Sequence, residues 1–257
     1  MDTPAGSGTY ARLCGDSRRQ GGALWQLLDP EKVSPDAAVE IVTAAENLGC
    51  DAFLVGASQG SPARFREVAK AIKAVASKPV LIFPNGAAQV VPDADAILFM
   101  SLLSGRNPEY LVGEQVKGAP LVEAYGLEAI PTGYLLIESG CTTSVEFVSN
   151  TRPIPRDQVA VARAHTLAAK YFGMRLVYLE AGSGAPLAVP VEMVRACADT
   201  GVPLAVGGGL REPTEVAACV AAGATFVVVG TRFEPEPDWN LFKEFADAAH
   251  AHTPVKA

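Results

Sequence analysis

Histidine is nearly missing from this sequence: His165, His250 and His252 are the only three, and two of them lie close to the C-terminus. That scarcity argues against a zinc centre built on several histidines. Cysteine is sparse as well. Cys14, Cys50, Cys141, Cys197 and Cys219 are scattered, odd in number and nowhere in CxxC spacing. No disulfide framework is read from them, and a reducing, cytoplasmic compartment is expected. No run reaches the roughly 18 apolar residues of a membrane-spanning helix, and the N-terminal stretch carries no apolar signal core. A basic surplus is also lacking. Net charge is −7 with no stripe of Lys and Arg, which excludes nucleic acid as an expected partner. A small anion remains admissible, because a local backbone nest holds it without help from net charge. Finally, no GxGxxG follows the first apolar run, so the mark of an open dinucleotide-binding sheet is missing.

What is present is alternation. Short continuous apolar runs, as expected of parallel strands buried on both faces, recur at Leu24–Asp29, Ala52–Gly56, Pro79–Pro84, Ala96–Met100, Gly133–Glu138, Leu176–Ala181, Pro203–Gly207 and Thr225–Gly230. Helical patterns fall between most of them: Ser34–Leu48, Pro62–Val75, Pro108–Tyr125, Arg156–Phe172, Val189–Asp199, Pro213–Ala222 and Trp239–His250. Ser34 followed by Pro35 and Asp36 reads as an N-cap with proline in the first turn. Asn85–Asp95 is too short and too punctuated by Gly and Pro for a helix. Eight runs in 257 residues, near the roughly 250 of a (β/α)8 barrel, predict an α/β fold, a modified TIM barrel lacking the helix after strand three. An open doubly wound sheet is the runner-up. Residues 1–20 read as a mobile lead-in, residues 21–257 as a single barrel domain, and Pro235–Trp239 as the loop before the last helix.

A barrel of this kind carries its active site at the C-terminal ends of its strands. The sixth run ends Tyr178-Leu179-Glu180-Ala181-Gly182-Ser183-Gly184, and alternation sets Tyr178 and Glu180 on one side. The Gly-Ser-Gly turn suits close approach to an anion, or is only a flexible turn. The seventh run ends Gly207-Gly208-Gly209 and the eighth Gly230-Thr231, where a phosphate site recurs in this fold; ordinary turn chemistry is the other reading. Asp29 closes the first run as a turn or cap residue, or as a Mg2+ ligand. Ser58, after the second run, either caps a helix or touches a phosphate. The stretch from Phe99 to Pro108 offers an apolar wall for a hydrocarbon, with Asn107 capping the next helix. No strand end presents a Schiff-base lysine, which disfavours an aldolase.

Several segments, in order, resemble one family: Trp25–Lys32 (WQLLDPEK), Phe53–Ser58 (FLVGAS), Leu81–Gly86 (LIFPNG), Ala96–Pro108 (AILFMSLLSGRNP), Ile130–Gly140 (IPTGYLLIESG), Thr151–Pro155 (TRPIP), Gly173–Pro186 (GMRLVYLEAGSGAP) and Val206–Leu210 (VGGGL), with Gly230-Thr231. The chain is similar over nearly its whole length to the geranylgeranylglyceryl phosphate synthase family. The resemblance implies a barrel without one helix and Mg2+-dependent transfer of a prenyl chain to a hydroxyl of a phosphorylated three-carbon compound. Carried over by position, Asp29 binds Mg2+ and through it the diphosphate. Ser58 lies on the diphosphate side. Tyr178 and Glu180 hold the glycerol-like part of the acceptor. Gly182, Ser183, Gly208, Gly209, Gly230 and Thr231 surround its phosphate.

The chain departs from the family at Asn85-Gly86, at Ala57, at Glu138-Ser139-Gly140-Cys141-Thr142, at Val145-Glu146-Phe147 and at Glu109-Tyr110. Together with Ala- and Arg-rich usage, these departures point to the branch of moenomycin-type antibiotic biosynthesis, with farnesyl diphosphate as donor and 3-phosphoglycerate as acceptor. Glycerol 1-phosphate with a longer prenyl donor is the alternative, and a non-catalytic phosphate- or prenyl-binding barrel a further one. An acceptor carboxylate would need a cation near Glu180, for which Arg232 is the candidate. The resemblance also implies that a lipid product would bring the enzyme to the membrane surface, and the outer helices offer room for a homodimer interface.

Overall fold

Each apolar run becomes one stave of a closed parallel barrel: β1 (Ala23–Leu28), β2 (Ala52–Val55), β3 (Val80–Ile82), β4 (Ala96–Leu102), β5 (Glu128–Leu136), β6 (Leu176–Glu180), β7 (Leu204–Gly207) and β8 (Phe226–Val229). The computed structural model describes residues 8–234 and 236–250. Every strand pairs in parallel with the next, and β8 closes on β1. The strands are mainly apolar because both faces are covered; Gln26, Ser101, Thr132 and Glu180 are their buried polar exceptions. Side chains alternate between two shells. In β1, Leu24 and Leu28 face the helices while Trp25 points into the barrel, and in β6 Val177 and Leu179 face out while Tyr178 faces in. Trp25 is fully buried and stacks on Phe226, their ring centroids 4.0 Å apart.

The outer layer follows the sequence signals closely. Ser34 caps α2 (Pro35–Asn47), its Oγ accepting the N–H of Ala37 at 3.1 Å. The next helix, α3, spans Pro62–Val75. Between β3 and β4 no barrel helix forms, only a single 3-10 turn, Ala87–Gln89. The Gln89 side chain holds this short link, accepting from Asn85 N–H at 2.7 Å and donating to the Ala57 carbonyl at 2.9 Å.

Some expectations are corrected. Of the lead-in read over residues 1–20, residues 1–7 lie outside the described residues, but Thr9–Gln20 is an ordered helix, α1. It plugs the N-terminal end of the barrel. Tyr10, Leu13, Cys14 and Ser17 form one buried face at helical spacing. The Tyr10 hydroxyl donates to the Arg175 carbonyl at 2.5 Å, its N–H to Glu128 at 3.2 Å, and the Ser17 hydroxyl to the Thr225 carbonyl at 2.8 Å. The polar composition of the segment hides that face, which is amphipathic against the open bottom of a barrel. The helix read from Pro108 begins as a π-turn over Glu109–Gly113, continuing as α4 (Glu114–Tyr125). β5 starts at Glu128, before the expected Gly133. Pro131 fits its extended backbone, and the Pro131 carbonyl still accepts from Arg175 N–H at 2.8 Å.

A short helix, α5 (Ser144–Ser149), was not expected. The remaining helices are α6 (Val159–Tyr171), which starts later than Arg156, α7 (Val191–Ala198), α8 (Pro213–Ala221) and α9 (Trp239–His250). Pro235 and residues 251–257 lie outside the described residues. No described helix is long and apolar enough to cross a membrane.

Candidate active site

The last two inward positions of β6 lie at the barrel mouth. Tyr178 is fully buried and Glu180 only 6% exposed. One carboxylate oxygen of Glu180 accepts the Gly182 N–H at 2.6 Å. Burial pushes its pKa up to about 7, while that N–H and the Tyr178 hydroxyl pull in the other direction. The result is a carboxylate poised between acid and base near neutral pH. Burial also raises the Tyr178 hydroxyl well above its ordinary value, so Tyr178 stays a neutral hydrogen-bonding group.

Two glycines, the last of β7 and the one after it, make room for this pair. A Cβ on Gly207 would lie 2.4 Å from the Tyr178 hydroxyl, and one on Gly208 would lie 2.4 Å from Glu180 Oε1 and 2.5 Å from Gly182 N. Gly208 also has a φ of +82°. Gly207 and Gly208 therefore let Tyr178 and Glu180 stand against bare backbone.

Beside Glu180, the loops after β6 and β8 meet through their hydroxyls: Ser183 Oγ and Thr231 Oγ1 are 2.7 Å apart. Gly182, Ser183, Gly208, Gly209, Gly230 and Thr231 all line one cavity of about 390 Å³, together with Asp29, Ser58, Tyr178 and Glu180. The structure thus brings every candidate site residue to one place.

Two further residues were not singled out from the sequence. Lys32 places its Nζ 3.3 Å from Ser183 Oγ, 3.3 Å from Thr231 Oγ1 and 3.4 Å from Asp29 Oδ2. Glu234 is buried, and its Oε1 accepts the Asp29 N–H at 2.7 Å. Its pKa is pushed up to about 7, chiefly by burial. The signal for Lys32 was its place three residues after Asp29 in WQLLDPEK; Glu234 carried none. Arg232, the candidate cation near Glu180, is exposed at the rim of the same cavity.

Away from the hydroxyl cradle the cavity turns apolar. Phe83, Tyr134 and Tyr178 form an aromatic triangle with centroid separations of 5.1 Å (Phe83–Tyr178), 5.7 Å (Tyr134–Tyr178) and 6.1 Å (Phe83–Tyr134). Beyond it, Met100, Leu102, Tyr110 and Val145 continue the lining. Asn107 caps the turn that follows β4, accepting from Glu109 N–H at 3.1 Å, and its amide ties that turn to the Ser149 carbonyl at 2.6 Å. The Asn85 amide, at a departure from the family pattern, donates to the Ser58 carbonyl at 2.7 Å and fixes the loop after β2.

A closed parallel barrel whose mouth joins a cradle of hydroxyls and glycines to an apolar lining has the arrangement of a barrel enzyme with its site at the C-terminal strand ends. Comparison with known proteins makes this particular. The PcrB family model matches residues 20–249. Geranylgeranylglyceryl phosphate synthase of Methanopyrus kandleri is 50% identical over 213 residues, 82% of this chain and 88% of that protein. The enzyme of the same name from Thermococcus kodakarensis is 48% identical over 212 residues, 81% of this chain and 82% of that protein. A crystal structure of (S)-3-O-geranylgeranylglyceryl phosphate synthase from Thermoplasma acidophilum, in complex with the substrate sn-glycerol-1-phosphate, superposes with a TM-score of 0.90 at 36% identity, covering 95% of this chain and 99% of that one. The chain belongs to the PcrB family. It is a prenyltransferase, and the non-catalytic reading is set aside.

Proposed function

We propose that this enzyme transfers a geranylgeranyl-type chain from its diphosphate to a hydroxyl of sn-glycerol 1-phosphate, forming an ether. The observation that carries the reading is the seating of Glu180 beside the Ser183–Thr231 hydroxyl pair, within one cavity that continues into the aromatic channel. The relatives support glycerol 1-phosphate better than the 3-phosphoglycerate expected from the departures.

The acceptor phosphate takes hydrogen bonds from the Ser183 and Thr231 hydroxyls and from N–H groups of the glycine turns. This anchoring aims one acceptor hydroxyl at Glu180. The hydroxyl oxygen bonds to the allylic carbon of the donor, and the bond from that carbon to the diphosphate breaks with its electron pair going to the leaving group. Glu180 takes the hydroxyl proton. Phe83, Tyr134 and Tyr178 exclude water from the carbon while it is cation-like. Asp29 suits a hard divalent cation. Its carboxylate is partly exposed at the cavity wall, and Mg2+ is commonly held by one or two carboxylates plus substrate phosphate oxygens. Bound there, Mg2+ would neutralise charge on the leaving diphosphate.

The test is a matrix. The enzyme is incubated with geranylgeranyl or farnesyl diphosphate, with either sn-glycerol 1-phosphate or 3-phosphoglycerate, with and without Mg2+. A geranylgeranyl glyceryl ether as main product, lost on chelation, is expected. A farnesyl ether of 3-phosphoglycerate as main product would reverse the assignment.

A further inference from the structure

Lys32 is the cation at the centre of this site, yet no step above uses it. Its ammonium faces two kinds of partner. On one side are the hydroxyls of Ser183 and Thr231, each 3.3 Å away, where the acceptor phosphate is proposed to sit. On the other are two carboxylates, Asp29 Oδ2 at 3.4 Å and Glu234 Oε2 at 3.8 Å. An ammonium has three protons and no acceptor, so it satisfies both sides only while no other cation claims the carboxylate. Ser183 and Thr231 lie close enough to hydrogen bond to each other, so each has a second partner ready when the ammonium moves.

We propose that Lys32 is a shared cation linking the two anion subsites: in the free enzyme it bridges Asp29 and the Ser183–Thr231 hydroxyls, and filling the diphosphate side shifts it onto the acceptor phosphate. The inference rests on the reading of the site given above. Its physical basis is competition. A divalent cation held by Asp29 would compete with Lys32 for that carboxylate. The ammonium then keeps Glu234, 3.8 Å away, and is free to meet a phosphate held at the Ser183 and Thr231 hydroxyls, which it already approaches at 3.3 Å. A charge-assisted contact of that kind stabilises the bound anion and offsets repulsion between two polyanions held side by side. Acceptor affinity should therefore depend on whether the diphosphate side is occupied, and by linkage the reverse.

The experiment is calorimetric titration of sn-glycerol 1-phosphate, and separately of 3-phosphoglycerate, into the full enzyme, with and without Mg2+ and inorganic pyrophosphate. Wild type should bind its acceptor several-fold more tightly when Mg2+ and pyrophosphate are present. Lys32→Met should weaken that binding by roughly 10- to 100-fold and erase the dependence on pyrophosphate, while Lys32→Arg keeps most of both. Thermal melts check that the variants are folded. Unchanged acceptor affinity in Lys32→Met would overturn the inference, as would a loss confined to pyrophosphate binding, since Lys32 would then act only through Asp29. Lys32-dependent binding of 3-phosphoglycerate in place of glycerol phosphate would correct the acceptor and leave the linkage standing. No binding of either compound by wild type would overturn both.

Discussion

Gly208 and Glu180 come from neighbouring strands, yet a single carbon atom added to Gly208 would lie 2.4 Å from the Glu180 carboxylate. The contact explains why position 208, just after β7, is a glycine. The backbone there turns with positive φ and passes directly under the Glu180 side chain of β6.

Gly208→Ala should therefore be far more damaging than its size suggests. The strained φ costs about 1–2 kcal/mol, and the methyl group must push Glu180 off its contact with Gly182. Turnover is expected to fall at least about tenfold with the barrel still folded, read as kcat together with circular dichroism and a thermal melt. Wild-type turnover in this variant would detach the triplet from the chemistry.

Glu180→Gln keeps the shape and removes the base. Ether formation should drop by roughly 10²–10⁴-fold, with pyrophosphate affinity hardly changed. In the wild type, activity should rise with pH through the region of about 7, where Glu180 loses its proton. A pH profile that keeps this limb in Glu180→Gln would assign the base to another group, the departing diphosphate included.

Stability should run the other way. Glu180 and Glu234 each have a folded-state pKa raised from 4.5 to about 7. Between those values the folded chain binds more protons than the unfolded one, so unfolding free energy falls as pH rises through that window. Urea midpoints measured across it should decline, and the decline should shrink in Glu180→Gln and again when Glu234→Gln is added. A flat series in the wild type would contradict the burial of both carboxylates.

Tyr10 belongs to the core although it lies near the start of the chain. Tyr10→Ala should cost about 3–5 kcal/mol in denaturant unfolding, and Tyr10→Phe, which loses only the bond to the Arg175 carbonyl, about 1 kcal/mol. A surface-like effect in Tyr10→Ala would mean that α1 does not seal the barrel in solution.

The barrel was legible in the sequence because its signals are local. Apolar runs such as Ala52–Val55 and Phe226–Val229 have no polar face to present, which only strands covered on both sides tolerate. Ser34-Pro35 and the short link before β4, punctuated by Gly86 and Pro92, spell their own turn chemistry. The period-two alternation that sets Tyr178 and Glu180 on one side follows from strand geometry alone. Elements whose stability comes from elsewhere stayed hidden. α1 has a polar sequence and gains its reason to fold from the open barrel end. The Pro131 segment looks unlike a strand until β4 and Arg175 pair with it.

The sequence by itself thus determined the order of the strands, the absence of one helix and the residues that crown each strand. It did so because hydrophobic period, caps and turns act over a few residues. Only the tertiary structure decided that Lys32 reaches two hydroxyls from loops more than a hundred positions away, that Glu234 anchors Asp29, and that Gly207 and Gly208 make room for Tyr178 and Glu180. Such relationships come from closing the ring of strands. Parallel pairing sets β7 beside β6 and closure sets β8 beside β1, and no local pattern encodes which side chains then meet across the mouth.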